Sequence, residues 1–520
     1  MPRFPALIVS ADLLPGGGPL NGRRWAGQQL LRLWGRAASS DPITLLMAQP
    51  AGREPFELML REAGHQGSVQ ALPLTDPKPL SAVGGLFLAD ASIGRWAQWR
   101  RPAGPASFSL IGQIHTICTP AAIGQIQELV SEPLAPWDAL ICSSTAGRAV
   151  VEALMADREQ QLLSRCGGDA ARLRAARPQL PVIPLPIPAA ALAAALPSMG
   201  DARAALGIDP QAHVLLWLGR LSMLTKFDPW PVYQLLEQLA GQLQRPLLLI
   251  ECGQDDTPHQ AEHFVQLRAL CPSLRFLRLG GDQPVSEAMK HQALAAADVG
   301  LFLVDNLQET FGLAVAEAMA AGLPIVASAW DGFRDLLTDG AEGFLVPSRF
   351  SAAAAAASFP LAWQQLIGLQ PYPTVAGALA QVVQLDMGAA HAALLALLQH
   401  PSLARAMGAA ARRRALACFD QAVVIQRYRE LFAELAEQRQ QASPAERQPQ
   451  PPSLSLDPVR AFAGYPSQPP AEPSQPCSPP PAAVSTGRAA LWHLLLQDGD
   501  PAALRALQAD LHAKHRAPEV

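Results

Sequence analysis

Short apolar runs recur along the chain, separated by stretches with helical character. The first series comprises ALIVSAD (Ala6 to Asp12), DPITLLMA, SFSLIGQIHTI, WDALICSS and LPVIPLPI, with helix-like RRWAGQQLLRLWGR and TAGRAVVEALM between them. Beyond Pro188 an alanine-rich patch and PSMGD read as a connection. A second series then follows, HVLLWLGRLS, RPLLLIECG, LRFLRLGG, DVGLFLVD and LPIVAS. Runs with no polar alternation suit strands buried on both faces of a parallel sheet. Strands alternating with helices predict a doubly wound α/β sheet. Two such series predict two Rossmann-like domains, residues 1–187 and 200–385, facing each other across a cleft.

The remainder of the 520 residues is organised differently. Residues 348–385, with six alanines from Ala352 to Ala357, read as a partly helical excursion, and 386–438 as strongly helical. Residues 439–485 are rich in proline and glutamine and read as a flexible linker in which LDPVRAFAGY is a docking patch. Residues 486–520 read as a small helical tail, with Leu491, Leu494, Leu495, Leu504, Leu507 and Leu511 on one stripe. That stripe suits packing on its own protein or on a partner helix.

Composition narrows the function classes. Hydrophobic residues make up 49% and charged residues 16%, as in a globular protein, and 40 basic against 44 acidic residues leave a net charge of -4. No basic field recruits nucleic acid. Seven cysteines, Cys118, Cys142, Cys166, Cys252, Cys271, Cys418 and Cys477, are scattered and never spaced as C-x2-C, which points to reduced thiols and not to disulfides or zinc. MPRFPALIVSAD lacks the apolar segment of a signal peptide, and no apolar run reaches transmembrane length. A cytoplasmic protein without a transmembrane segment is expected, with peripheral membrane contact left open.

The chemistry concentrates in residues 305 to 347, DNLQETFGLAVAEAMAAGLPIVASAWDGFRDLLTDGAEGFLVP. A buried strand leads into the turn Asp305 to Gly312. Leu313 to Ala321 is then an alanine-rich helix stopped by Gly322 and Pro324. The first amides of such a helix lack intrahelical partners and carry the positive end of its dipole, so the backbone at Phe311, Gly312 and Leu313 suits a diphosphate. Glu309 in the turn and Glu317 on the helix suit charge-assisted hydrogen bonds to hydroxyls, the first on a sugar and the second on a ribose. Arg220 and Lys226, after the apolar run VLLWLG, are two cations able to neutralise a diphosphate leaving group. Gly16, Gly17 and Gly18 follow the first strand, where close backbone approach to a ligand requires glycine.

The full string resembles the donor-binding signature of GT-B glycosyltransferases, in particular the retaining family-4 enzymes. Its Glu-x7-Glu, Phe-Gly-Leu, Glu-Ala-Met-Ala and Gly-Leu-Pro-Ile-Val-Ala-Ser elements stand in the family's order. The resemblance implies a GT-B fold, and transfer of a hexose from a nucleotide-diphosphate sugar to a saccharide or lipid-linked acceptor with retention of configuration, in polysaccharide or glycoconjugate synthesis. It implies that the helices of 386–438 brace the two domains, and it implies no cofactor and no metal. It also implies catalytic roles for His115, Arg220, Lys226 and Glu309, donor contacts at Gly17, Gly18, Phe311, Gly312, Leu313 and Glu317, and front-face attack in which the leaving phosphate takes the acceptor proton. GRLSMLTK departs from the family pattern: Lys226 comes six residues after Arg220 where five are usual, and Phe227 replaces a glycine. Asp331 replaces a glycine of the Gly-Gly-x-x-Glu turn, and Trp330 beside it can line the site or pack.

Walker A, G-x-G-x-x-G, H-E-x-x-H and G-x-S-x-G patterns are absent, which removes kinase, dehydrogenase, zinc protease and serine hydrolase readings. The only Asp-x-Asp is the turn Asp498-Gly499-Asp500. The alternatives left are a non-catalytic GT-B-derived nucleotide- or carbohydrate-binding protein, and a GT-B phosphorylase or epimerase.

Overall fold

The computed structural model of the chain describes residues 4–10, 13–14 and 22–465. Gly17 and Gly18, much of the proline-rich linker and the helical tail lie outside the described residues. The first lobe is a six-stranded parallel sheet of β1 (Ala6–Ile8), β2 (Ile43–Met47), β3 (Val69–Pro73), β4 (Gly85–Leu88), β5 (Ser109–Gln113) and β6 (Ala139–Ile141). The second contains β7 (His213–Leu218), β8 (Leu247–Gln254), β9 (Arg275–Gly281), β10 (Val299–Phe302), β11 (Ile325–Ser328) and β12 (Gly343–Val346), also all parallel.

Their spatial orders are β3-β2-β1-β4-β5-β6 and β12-β11-β10-β7-β8-β9. Each order runs outward from its first strand in both directions, the doubly wound arrangement of nucleotide-binding folds. Its ligand crevice lies at the carboxyl ends, where the order reverses. Those switch points fall between β1 and β4 in the first lobe and between β7 and β10 in the second.

Alternation explains the burial of both sheet faces. Leu7, Phe87 and Ile111 enter one apolar cluster of the first lobe, while Ala6, Leu86 and Leu110, one residue earlier on each strand, enter the cluster on the opposite face. Such a sheet has no solvated side, so its strands read as unbroken apolar runs.

Several segments depart from the sequence-based expectation. LPVIPLPI forms no strand; it meets its neighbours through isolated bridges such as Cys142 with Val182 and Ile187 with Asp420. Its prolines at 181, 184 and 186 remove the amides a ladder needs. β3, β4 and β12 are strands outside the apolar runs named above. The excursion closes on itself through an antiparallel pair, β13 (Ser348–Phe350) with β14 (Val383–Leu385), and carries helices Ala354–Leu366 and Tyr372–Ala380.

Helices Met387–Gln399 and Pro401–Cys418 pack on the second lobe, and the next, Gln421–Gln440, packs on the first. Val424, Tyr428, Leu431, Phe432 and Leu435 of that last helix are buried in the first lobe's core. Trp34 meets both Tyr428 and Phe432, with ring centroids 6.0 and 6.1 Å apart. Residues from 453 onward belong to a separate compact unit, of which the helix Pro458–Ala461 is described. Among the described residues no helix is long and apolar enough to cross a membrane.

Candidate functional site

The second switch point gathers charged loops from both of its strands. After β7 the chain turns through Gly219 and Arg220. Arg220 donates to Asp256 Oδ1 at 2.6 Å and to Thr225 Oγ1 at 3.0 Å. Asp256, beyond the end of β8, also accepts from Ser222 Oγ and from Gln260 Nε2, so the loop is clamped and the guanidinium held in one direction. Two residues beyond Thr225, Phe227 is buried and stacks on Trp217 with centroids 3.9 Å apart. A core contact therefore occupies the position where the family pattern has glycine.

The loop after β10 faces this one. Lys226 Nζ donates to Glu309 Oε2 at 3.1 Å, bringing together two of the residues singled out in the sequence. Asn306 fastens the two loops, donating from Nδ2 to the Leu224 carbonyl at 2.8 Å. Asp305, at the root of the loop, is buried, and burial pushes its carboxyl up to about 7.

Helix Leu313–Ala321 starts from Gly312, whose φ of 104° lies in the left-handed region that favours glycine. A Cβ there would come within 2.5 Å of the Phe333 ring. No side chain caps this end of the helix, so its first amides are presented by the backbone alone. Phe311 points the other way, into the core, against Phe419 at 5.8 Å. Its side chain is thus committed to the core. Leu313 is half-buried at the helix's first position.

Glu317 is buried and accepts from Lys290 Nζ at 3.0 Å. Burial pushes its carboxyl up, and the Lys290 charge pulls the other way. For Lys290, burial disfavours the charge, but Glu317 and Glu287 outweigh it and the ammonium is held. No sequence pattern signals Lys290; it reaches Glu317 only because helix Glu287–Ala296 packs beside helix Leu313–Ala321. Asp256 was likewise unmarked, although its place beyond a strand's carboxyl end was the available signal.

The loop after β11 completes the site. Asp331 takes a φ of 45°, the left-handed conformation that its glycine counterpart in the family pattern would adopt freely. Aspartate is among the few other residues that tolerate it. Burial raises its carboxyl to about 8, with Glu309 and Asp335 adding like charge. Trp330 packs edge-on against Phe350 at 5.5 Å, and its indole donates to the Asn306 carbonyl.

Because the folded-state pKa of Asp331 lies above its ordinary value of 3.8, the stability it contributes is fully present below about pH 4 and is lost as pH rises through about 8. Asp331→Asn keeps the left-handed turn and the uncharged form at every pH. Thermal melts should therefore coincide near pH 4 and separate in the variant's favour up to pH 8 to 9. Parallel curves would contradict the raised carboxyl.

The first lobe meets this region directly. Ser143 Oγ donates to the Thr310 carbonyl at 3.2 Å, and Thr145 donates from both N and Oγ1 to the Asp335 carboxylate at 2.5 Å. His115 is half-buried in the loop after β5. At the first switch point a cavity of about 290 Å³ opens between β1 and β4, lined by residues including Ile8, Val9, Leu88, Asp90 and Arg95.

Comparison with known proteins bears on the family and the fold. Residues 200–362 match the family model "Glycosyl transferases group 1". Over 163 residues the chain is 34% identical to a phosphatidyl-myo-inositol mannosyltransferase of Mycobacterium leprae, covering 30% of this chain and 39% of that protein. It is 34% identical over 167 residues to a D-inositol 3-phosphate glycosyltransferase of Geodermatophilus obscurus, covering 30% and 34%. The matched stretch therefore spans little more than a third of these relatives. In fold the chain is similar to the N-terminal domain of Candida albicans trehalose-6-phosphate phosphatase, with a TM-score of 0.53, 9% identity and coverage of 83% and 98%. It is similar also to the trehalose-6-phosphate synthase OtsA, with a TM-score of 0.50, 12% identity and coverage of 82% and 99%. The second lobe thus matches the group 1 glycosyl transferases over residues 200–362, and the two doubly wound sheets have the GT-B fold.

Proposed function

We propose that the chain transfers a hexose from a nucleoside-diphosphate sugar to a saccharide or lipid-linked acceptor, with retention of configuration and without a metal cofactor. The observation that carries this reading is the convergence, at the second switch point, of Arg220, the Lys226–Glu309 pair and the uncapped amides of helix Leu313–Ala321. Donors of this kind need an anion cradle and a polar hook for the sugar, and both stand at the carboxyl end of one sheet.

In this reading the helix amides and Gly312 receive the diphosphate, Glu317 a ribose and Glu309 a sugar hydroxyl. As the bond from the anomeric carbon to the phosphate oxygen breaks, Arg220 and Lys226 offset the charge that develops on the phosphate. The acceptor hydroxyl attacks on the same face and yields its proton to the departing phosphate oxygen. His115 lies on the first-lobe side of the reacting sugar, and the first-lobe cavity near Asp90 suits the acceptor. Closure of the lobes keeps water from competing with that acceptor.

A thermal-shift panel of UDP-, GDP- and ADP-sugars tests the reading. Ligand at about 100 times its dissociation constant adds roughly 2.7 kcal/mol. One nucleotide should raise the melting temperature of the wild type, and Glu317→Ala should lose that increment whatever its own baseline. A folded sample that responds to none of the donors would overturn the reading; binding without turnover on any acceptor would mark a non-catalytic binding protein.

A further inference from the structure

The excursion between β12 and the helices that follow it brings the Tyr372 side chain into the site. This tyrosine is the first residue of helix Tyr372–Ala380 and lies beyond residue 362, where the family match ends. Its hydroxyl donates to Gln308 Oε1 at 2.9 Å and lies 3.4 Å from the Cys118 thiol. With the phenol proton given to Gln308, the thiol donates to the phenol oxygen. The two partners belong to different lobes: Cys118 is three residues past His115, and Gln308 precedes Glu309.

The surroundings tie this tyrosine to the donor loop. The backbone of Gln308 is held from behind, its main-chain N–H donating to Asn306 Oδ1 at 2.9 Å. Gly377, on the same helix as Tyr372, sits so close to Leu224 that an added Cβ would lie 2.8 Å from its Cδ2. The helix therefore rests on the loop that carries Arg220 and Lys226.

We propose that Tyr372 is a positioning residue for donor transfer: its hydroxyl links the first-lobe loop of His115 and Cys118 to Gln308 and so fixes Glu309 when the lobes are closed. The inference rests on the glycosyl-transfer reading for its kinetic consequence, but not for the bridge itself. A phenol shared between a thiol and an amide oxygen holds both loops in one arrangement. Losing it frees Gln308 to turn, loosens Glu309 and leaves the cleft easier to open to water.

Two measurements test it. In the absence of any ligand, peptide-resolved alkylation of the full chain with N-ethylmaleimide should modify Cys118 several-fold faster in Tyr372→Phe than in wild type. The buried Cys142, Cys252 and Cys271 should stay slow in both, which reports intact folding. An unchanged Cys118 rate would overturn the bridge.

With the sugar nucleotide identified by the thermal-shift panel, Tyr372→Phe should raise the donor KM several-fold and increase hydrolysis relative to transfer. Cys118→Ala should move both in the same direction, whereas Cys118→Ser, which restores a hydroxyl to the thiol's position, should resemble wild type. Faster alkylation with unchanged KM and partition ratio would overturn the positioning role. Failure of the wild type to use any donor would instead count against glycosyl transfer itself.

Discussion

Arg220→Ala is expected to lower kcat about 100- to 1,000-fold, the usual cost of removing one preorganised group that meets developing charge. The side chain leaves the carboxyl end of β7 at a switch point, and Asp256 and Thr225 aim it before any substrate arrives. That preorganisation means little reorganisation accompanies the reaction, so the loss should fall on turnover more than on donor KM. Arg220→Lys should recover only part, since an ammonium lacks the fork that can hold Asp256, Thr225 and a phosphate oxygen together. The fold should be little affected, because Arg220 is part-exposed at the site mouth. Steady-state kinetics with the donor found by thermal shift decide the matter: a variant with wild-type kcat would remove Arg220 from the mechanism.

Asp138→Ala should cost about 3–5 kcal/mol of stability, the range for breaking a buried ion pair by removing one partner. Arg100 and Asp138 are both fully buried, joined by bonds of 2.6 and 2.8 Å. Asp138 also accepts from the amides of Leu110 and Ala135, and Arg100 donates to the Phe108 carbonyl. Truncating the carboxylate strands a guanidinium away from water and releases two amides. Arg100→Met combined with Asp138→Leu should be milder than Asp138→Ala alone, since no unpaired charge is left. Denaturant titration of the three proteins measures the order; a single variant less than about 1 kcal/mol below wild type would show that water reaches the pair.

The fold class was legible because both sheets are covered on each face, which leaves runs such as VLLWL and LLLI continuously apolar. Where that condition fails, legibility fails with it. Val69–Pro73 is an edge strand of half-buried and exposed residues. LPVIPLPI shows the converse error: it has the composition of a buried strand but lacks the amides to pair as one.

Within the candidate site, sequence spacing drew attention to residues on the glycine-bounded turn and helix, whose conformation is set locally. It gave no access to Asp256, Lys290 or Tyr372. These lie 36, 27 and 64 positions from Arg220, Glu317 and Gln308, the groups they hold. Such pairings arise from the packing of whole elements, and of the three only Asp256, just beyond a strand's carboxyl end, stands at a place that a linear pattern marks.

The return of the last helix to the first lobe has a consequence for biosynthesis. Tyr428 and Phe432 complete a core begun by Phe4 and Trp34, so these two residues leave the ribosome long before the helix that covers them. At 5–20 residues per second the intervening stretch takes on the order of tens of seconds to synthesise. During that interval the apolar groove beside Trp34 stays open to water, until helix Gln421–Gln440 closes it.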